Sequence, residues 1–191
     1  MSIASMITLG IATIVLIYLI IIYNGLVGLK HTVSKSFANI DVLLKQRHDE
    51  LPKLVQVCKQ YMTYEEKTFK SIVQARNDVA KANVAGNMKA LGDAETQLRT
   101  GLGNLFALAE NYPELKADQT FIHLQQRISG LENGIADRRE VYNDSVNNNN
   151  IRIEQVPDVF VAKLFGFKPF EMLKFSESEK ANVDIGQLFK S

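Results

Sequence analysis

The chain is short of the residues that mark several protein classes. In 191 residues it has no tryptophan, one cysteine, four prolines and eleven glycines. A single cysteine, Cys58, cannot close an intrachain disulfide, which excludes a disulfide framework and fits a reducing compartment. So little proline and glycine excludes collagen-like and low-complexity chains. Charge of one sign is missing too: 22 Lys and Arg stand against 21 Asp and Glu, a formal net charge of +1. A general nucleic-acid binder carries a strongly basic face, so no nucleic-acid partner is expected. What remains is a helix-former composition, 46% hydrophobic.

The hydrophobic residues are not spread evenly. No charged side chain occurs between Met1 and Leu29, and Ile3–Ile22 is interrupted only by Ser5, Thr8, Gly10 and Thr13. As a helix rising ~1.5 Å per residue this stretch covers ~30 Å, the hydrocarbon thickness of a bilayer. It reads as a transmembrane helix, so residues 3–22 are expected to meet lipid. A cleaved signal peptide is the rival reading, but the basic n-region and a small-x-small cleavage site before Tyr23 are both absent. Lys30 and Lys35 follow the span with no acid before Asp41. The positive-inside rule then places the short N-terminus outside and residues 24–191 in the cytoplasm, as a single-pass protein of the cell (inner) membrane. The chain divides into an anchor at 1–23, a helical bundle at 24–155 and a C-terminal amphipathic segment and tail at 156–191.

Beyond the span, apolar residues recur in steps of three and four, and strand-like alternation is absent. Phe37, Ile40, Leu44, Leu51, Val55, Cys58, Met62, Phe69, Ile72 and Val79 define one stripe over about 25–82. Pro52 sits inside it. The unbroken register fits a kinked continuous helix, while proline's use at helix starts fits a hairpin equally well. Asn83–Asn87, with Gly86, is the first expected turn, and Asn87 or Asp93 is placed to cap the next helix. A second stripe runs Leu91, Ala94, Leu98, Leu102, Leu105, Leu108 and Tyr112, and ends at Pro113. Asp118 is the expected N-cap of a last long helix with Phe121, Leu124, Ile128, Leu131, Ile135, Tyr142 and Val146 on its stripe. Asn147–Asn150 should fray or end that helix, and residues 176–191 read as loosely ordered. The fold class is therefore all-α: an N-terminal transmembrane helix, then an antiparallel up-and-down bundle of three to four long helices.

Four charges break the stripes. Arg47, Glu65, Arg76 and Arg138 fall on seam positions where aliphatic residues belong. A lone buried charge costs several kcal/mol, so each must pair or reach water. Glu65 and Arg138 lie at similar heights if their helices run parallel, which makes them candidates for a polar layer. The other reading puts both on the wet edge of a rotating seam.

No reactive constellation emerges. His31, His48 and His123 are far apart in sequence, and none belongs to an H-E-x-x-H or Glu-x-x-His pattern. Phosphate-binding glycine loops and a G-x-S-x-G elbow are missing. Cys58 lies on the apolar stripe, where a small inert hydrophobe is the simpler reading. Glu65-Glu66 and Asp49-Glu50 are adjacent acids, but helix neighbours point about 100° apart and do not share a proton. No catalytic residue, metal site or cofactor is expected.

The tail has one feature of its own. Val159–Phe170 holds four of the ten phenylalanines, with Lys163 and Lys168 among them. Such a piece suits the headgroup region of a membrane, the exposed end of the bundle or a neighbouring subunit. Its shortness and small basic charge favour packing against protein.

Read together, these blocks carry a resemblance. Tyr23-Asn24-Gly25-Leu26-Val27 after the span, Asp41 through Leu54 around Pro52, Asn111-Tyr112-Pro113-Glu114-Leu115-Lys116, Glu132-Asn133 with Ile135-Ala136, Tyr142-Asn143 and Leu164-Phe165-Gly166-Phe167 stand in the order seen in the LemA family. One departure is Asn149-Asn150, where a second Tyr-Asn pair is common. The resemblance implies a bacterial single-pass membrane protein with a helical bundle. It brings no enzymatic activity, cofactor or catalytic residue.

The leading functional expectation is a non-enzymatic membrane-anchored scaffold or adaptor that binds copies of itself, as a homo-oligomer, or an unidentified protein. Val42, Leu43, Leu54 and Val57, partly off the main stripe, are its candidate contact residues. The alternative is a membrane signalling or envelope-stress sensor, in which Pro52 and the seam charges give two states.

Overall fold

A computed structural model describes residues 3–174, which form six helices and no strand. These are α1 (Ile3–Tyr61), α2 (Glu66–Ala85), α3 (Met88–Ala109), α4 (Pro113–Ala117), α5 (Gln119–Glu154) and α6 (Asp158–Leu164). The all-α expectation holds, with four long helices and two short ones. Residues 176–191, read as loosely ordered, lie outside the described residues.

The chain forms two compact units. One contains residues 3–42 together with Ala136–Met172; the other contains Leu43–Ile135 with Leu173 and Lys174. The first unit begins with the apolar part of α1. Apart from Ser5, every residue from Ile3 to Ile21 is exposed. This is the one helix among the described residues long and apolar enough to cross a membrane. From Ile22 onward α1 buries a single face, made of Ile22, Leu26, Val33, Ser36 and Ile40. α5 supplies Tyr142, Val146, Asn149 and Ile153 to the same unit, and α6 adds Val161 and Ala162.

The asparagine run does not end α5, which continues through it to Glu154. Intrinsic preference gives way to tertiary partners here. Asn149 is buried, and the Asn150 amide exchanges two hydrogen bonds of 2.9 Å with the backbone of Phe170. The Asn150 side chain, which would compete with the helix backbone in isolation, is engaged by the tail instead, and Asn149 donates to it.

In the second unit, Leu44, Leu51, Leu54 and Cys58 of α1 are buried. So are Phe69, Ile72 and Val79 of α2, Leu91, Leu98 and Leu105 of α3, and Phe121, Leu124 and Ile128 of α5. The stripe read as continuous from 25 to 82 is broken: α1 stops at Tyr61 and α2 starts at Glu66. The first turn is thus at 62–65, ahead of the expected one at Asn83–Asn87. Met62 stays buried while Thr63 and Tyr64 face solvent, so the apolar spacing carries on across a turn with no glycine or proline to announce it.

The later boundaries follow the sequence. Gly86 closes α2 at φ +64°, a conformation that costs glycine no Cβ clash. The Asn87 side chain caps α3 by accepting from the Ala90 amide at 2.9 Å. Asp118 Oδ1 accepts from the Phe121 amide at 2.9 Å and so caps α5. That bond, more than any other, holds the Asp118 carboxyl below the usual carboxylate range; a hydrogen bond from Tyr61 at 3.0 Å adds to it.

Candidate functional site

The most deeply placed charges are in the second unit. Arg47 of α1 is 1% exposed, and its two terminal nitrogens donate to Glu95 of α3 and Glu132 of α5. One guanidinium therefore fastens three helices. Burial alone would lower its pKa, but Glu95 and Glu132 outweigh that effect and raise it. The carboxylates are engaged by the guanidinium, and the cluster presents no group shaped to attack or protonate a substrate. Its chemistry is structural, and it is incomplete at one atom, since Arg47 Nε is buried with no hydrogen-bond partner among the described residues.

This is the polar layer that sequence spacing places elsewhere. Glu65 is half-buried as the residue before α2, and Arg138 is exposed. The wet-edge reading therefore holds for Arg138. Arg47 is legible in the sequence as a seam charge. Its partners are not, although Glu95, one turn after Leu91, sits on the second stripe.

Two other anomalies explain each other. Proline lacks an amide hydrogen, so Pro52 inside α1 leaves the carbonyl of residue 48 without its helical donor. Arg76 Nε of α2 donates to that His48 carbonyl at 2.9 Å. The acceptor orphaned by Pro52 is satisfied, and α1 runs through the proline to Tyr61. Between the two helices lies a groove of about 380 Å³ whose lining includes Pro52, Val55, Ile72, Val73 and Arg76. A second recess, about 460 Å³, runs between α1 and α5. There Glu50 meets Lys53 at 3.1 Å and Arg127 at 3.0 Å, and Lys53 is the main cause of its lowered pKa.

The first unit has a recess of about 460 Å³ beside the start of its buried seam, lined by Tyr23, Lys30, His31, Phe165, Lys168 and Phe170 among others. Tyr23 packs on Phe165 with ring centroids 4.8 Å apart and on Phe167 at 5.9 Å. Tyr142 donates to the Glu171 carbonyl at 2.9 Å, which, with the Asn150 bonds to Phe170, fixes the tail alongside α5.

Reactive side chains do not converge. Among the described residues, no group of three His, Cys, Asp or Glu side chains is placed to hold a metal ion. Burial pushes the Cys58 thiol up to about 12, which leaves it protonated and unreactive at neutral pH. His48 is shifted down, first by burial and then by the neighbouring Arg76 charge. Of the four residues expected on an outward stripe, Val42 is exposed, Leu43 and Val57 are half-buried, and Leu54 is fully buried within the second unit. Leu54 is core because the seam of α1 widens there to take both Leu54 and Val55.

These features define a class: a helical protein with an apolar N-terminal helix of membrane-crossing length, whose buried Arg47 is paired with Glu95 and Glu132. A family model for the LemA family matches residues 36–186. The chain belongs to the LemA family. It is also similar to magnetosome proteins MamQ 1 and MamQ 2 of Paramagnetospirillum magneticum, each 25% identical over 88% of this chain and 70% of theirs. Magnetosome protein MamQ of Magnetospirillum gryphiswaldense is 23% identical over the same shares.

Proposed function

We propose that the chain is a single-pass membrane-anchored scaffold without enzymatic activity, held by residues 3–22 with its short N-terminus outside and the rest in the cytoplasm. The observation that carries this reading is the continuity of α1. One helix starts as an exposed apolar cylinder from Ile3 to Ile21 and passes without a break into a buried seam at Ile22. A removable leader has no reason to share a helix with the core, whereas an anchor does. The family and the names of the MamQ relatives state no reaction, which supports a role in assembly. The groove beside Pro52 and Val73, and the outward Val42, are the surfaces on which a second copy or another protein would act.

Purification of the full chain in mild detergent tests the scaffold. Self-association or a copurifying partner is expected, and a strictly monomeric, partner-free species would count against it. Topology is tested separately: protease added to sealed right-side-out cells should leave the large domain intact, and its digestion would reverse the orientation.

A further inference from the structure

α6 has two faces. Val161 and Ala162 are buried against Ile22 and Leu26 of α1 and Ile153 of α5. Phe160 and Leu164, four residues apart and so on one side of the helix, are 67% and 78% exposed, and Phe165 after them is 59% exposed. These three large apolar groups stay open among the described residues. Gly166, at φ +70°, then turns the chain so that the Phe167 amide bonds back to the Ala162 carbonyl at 2.9 Å, which fixes the aromatic pair beside Tyr23. Packing against protein, expected for this segment from its sequence, accounts for one face only.

We infer that the open face of residues 160–165 lies in the headgroup and acyl boundary of the bilayer that α1 crosses. The inference rests on the anchor reading, and the position of α6 carries it. Ile22 and Leu26, on which α6 packs, follow directly after the exposed stretch Ile3–Ile21. Four helical residues rise ~6 Å, and the interfacial layer on each side of the hydrocarbon core is about 5–8 Å thick. A helix packed on that one turn sits at the depth of the interface. Tyr23, in ring contact with Phe165, is a residue type that settles there. Charge agrees as well. Lys163 and Lys168 are exposed, with stems long enough to reach the headgroups, while the acid that opens α6, Asp158, is buried and paired with Arg152. A piece this short binds a membrane weakly by itself. Once α1 holds it at the surface, however, insertion becomes an intramolecular step, and weak intrinsic affinity suffices.

The absence of native tryptophan makes the test direct. Single-tryptophan variants Phe160→Trp, Leu164→Trp and Leu16→Trp of the full chain are placed in nanodiscs, and emission is read with unbrominated lipids and with lipids brominated shallowly or deeply. We expect Trp emission at 160 and 164 to be blue-shifted and quenched most by the shallow bromines, and at 16 most by the deep ones. Quenching at 16 with red, unquenched emission at 160 and 164 would put the face in water and overturn the inference while leaving the anchor standing. Blue but unquenched emission at 164 would show that protein covers it, and would overturn the inference equally. Loss of quenching at 16 would take down the anchor reading itself.

Discussion

In the unit that contains Leu43–Ile135, the most deeply buried polar group is a guanidinium answered by two carboxylates. In the unit that contains Ala136–Met172, the buried polar groups are chiefly hydroxyls and amides, answered by one another and by backbone. There Ser36 and Ser145 share a hydrogen bond of 3.0 Å, Asn149 donates to Asn150 at 3.2 Å, and Tyr142 and Asn150 reach the tail. The difference is one of exposure to failure. A buried ion pair is costly when half of it is removed, whereas a neutral amide left alone loses a hydrogen bond or two. The first arrangement fastens three helices at one point; the second holds a non-helical segment in place along a helix.

Removing the charge from one side of the cluster should produce the largest effect. Arg47→Met takes the guanidinium away from Glu95, 2% exposed, and from Glu132, and should destabilise by about 3–5 kcal/mol in urea unfolding. Replacing all three residues with apolar ones should recover most of that loss, because the cluster already leaves Nε unpaired. A mild effect of Arg47→Met alone would erase the contrast between the units.

The proline repair comes next. Arg76→Leu leaves the His48 carbonyl without a donor and should cost about 1–3 kcal/mol. In a Pro52→Ala background residue 52 regains its amide, so the same substitution should cost distinctly less. Additive losses in that double-mutant cycle would show that Arg76 is not acting for Pro52.

Asn150→Ala should cost about 1–2 kcal/mol through its two lost bonds, and should speed hydrogen exchange at the Phe170 amide. Faster exchange in α5 instead would mean that the asparagine supports the helix, not the tail.

The smallest effect concerns pH. The carboxyl of Asp118 is depressed when folded, so its stabilisation is present at neutral pH and lost as pH falls through that depressed value. The stability gap between the wild type and Asp118→Ala, followed by thermal unfolding across the acid range, should therefore close below the ordinary carboxylate pKa. A gap that persists in strong acid would assign the effect to packing.

Local spacing makes much of this fold legible. The apolar span, the α5 stripe and the caps at Asn87 and Asp118 each depend on residues within one or two turns of each other, where sequence distance and spatial distance agree. The turn at 62–65 is hidden because Met62, Phe69 and Ile72 keep helical spacing across it, so one stripe feeds the core from two helices. Glu95 and Glu132 lie 48 and 85 residues from Arg47, and no local pattern ties them to it. Asn147–Asn150 misleads for the opposite reason: its composition argues for an end, yet α5 runs through it, and the partner of Asn150 is Phe170, 20 residues on, where no local pattern points. Half of the site at α6 is visible as a cluster of phenylalanines, but which face stays open depends on Ile22 and Leu26.

α1 also joins two stretches that obey different rules of phase. Each residue added to a helix turns everything beyond it by about 100°. Between Ile3 and Ile21 the surface is apolar nearly all round, so an insertion or deletion there only lengthens or shortens the cylinder. Just past Ile22 and Tyr23, one added residue would turn both out of phase with Leu26, Val33 and Ile40, and so set the ring contacts of Tyr23 against the buried seam. Changes in length are therefore tolerable on one side of a single peptide bond and ruinous on the other.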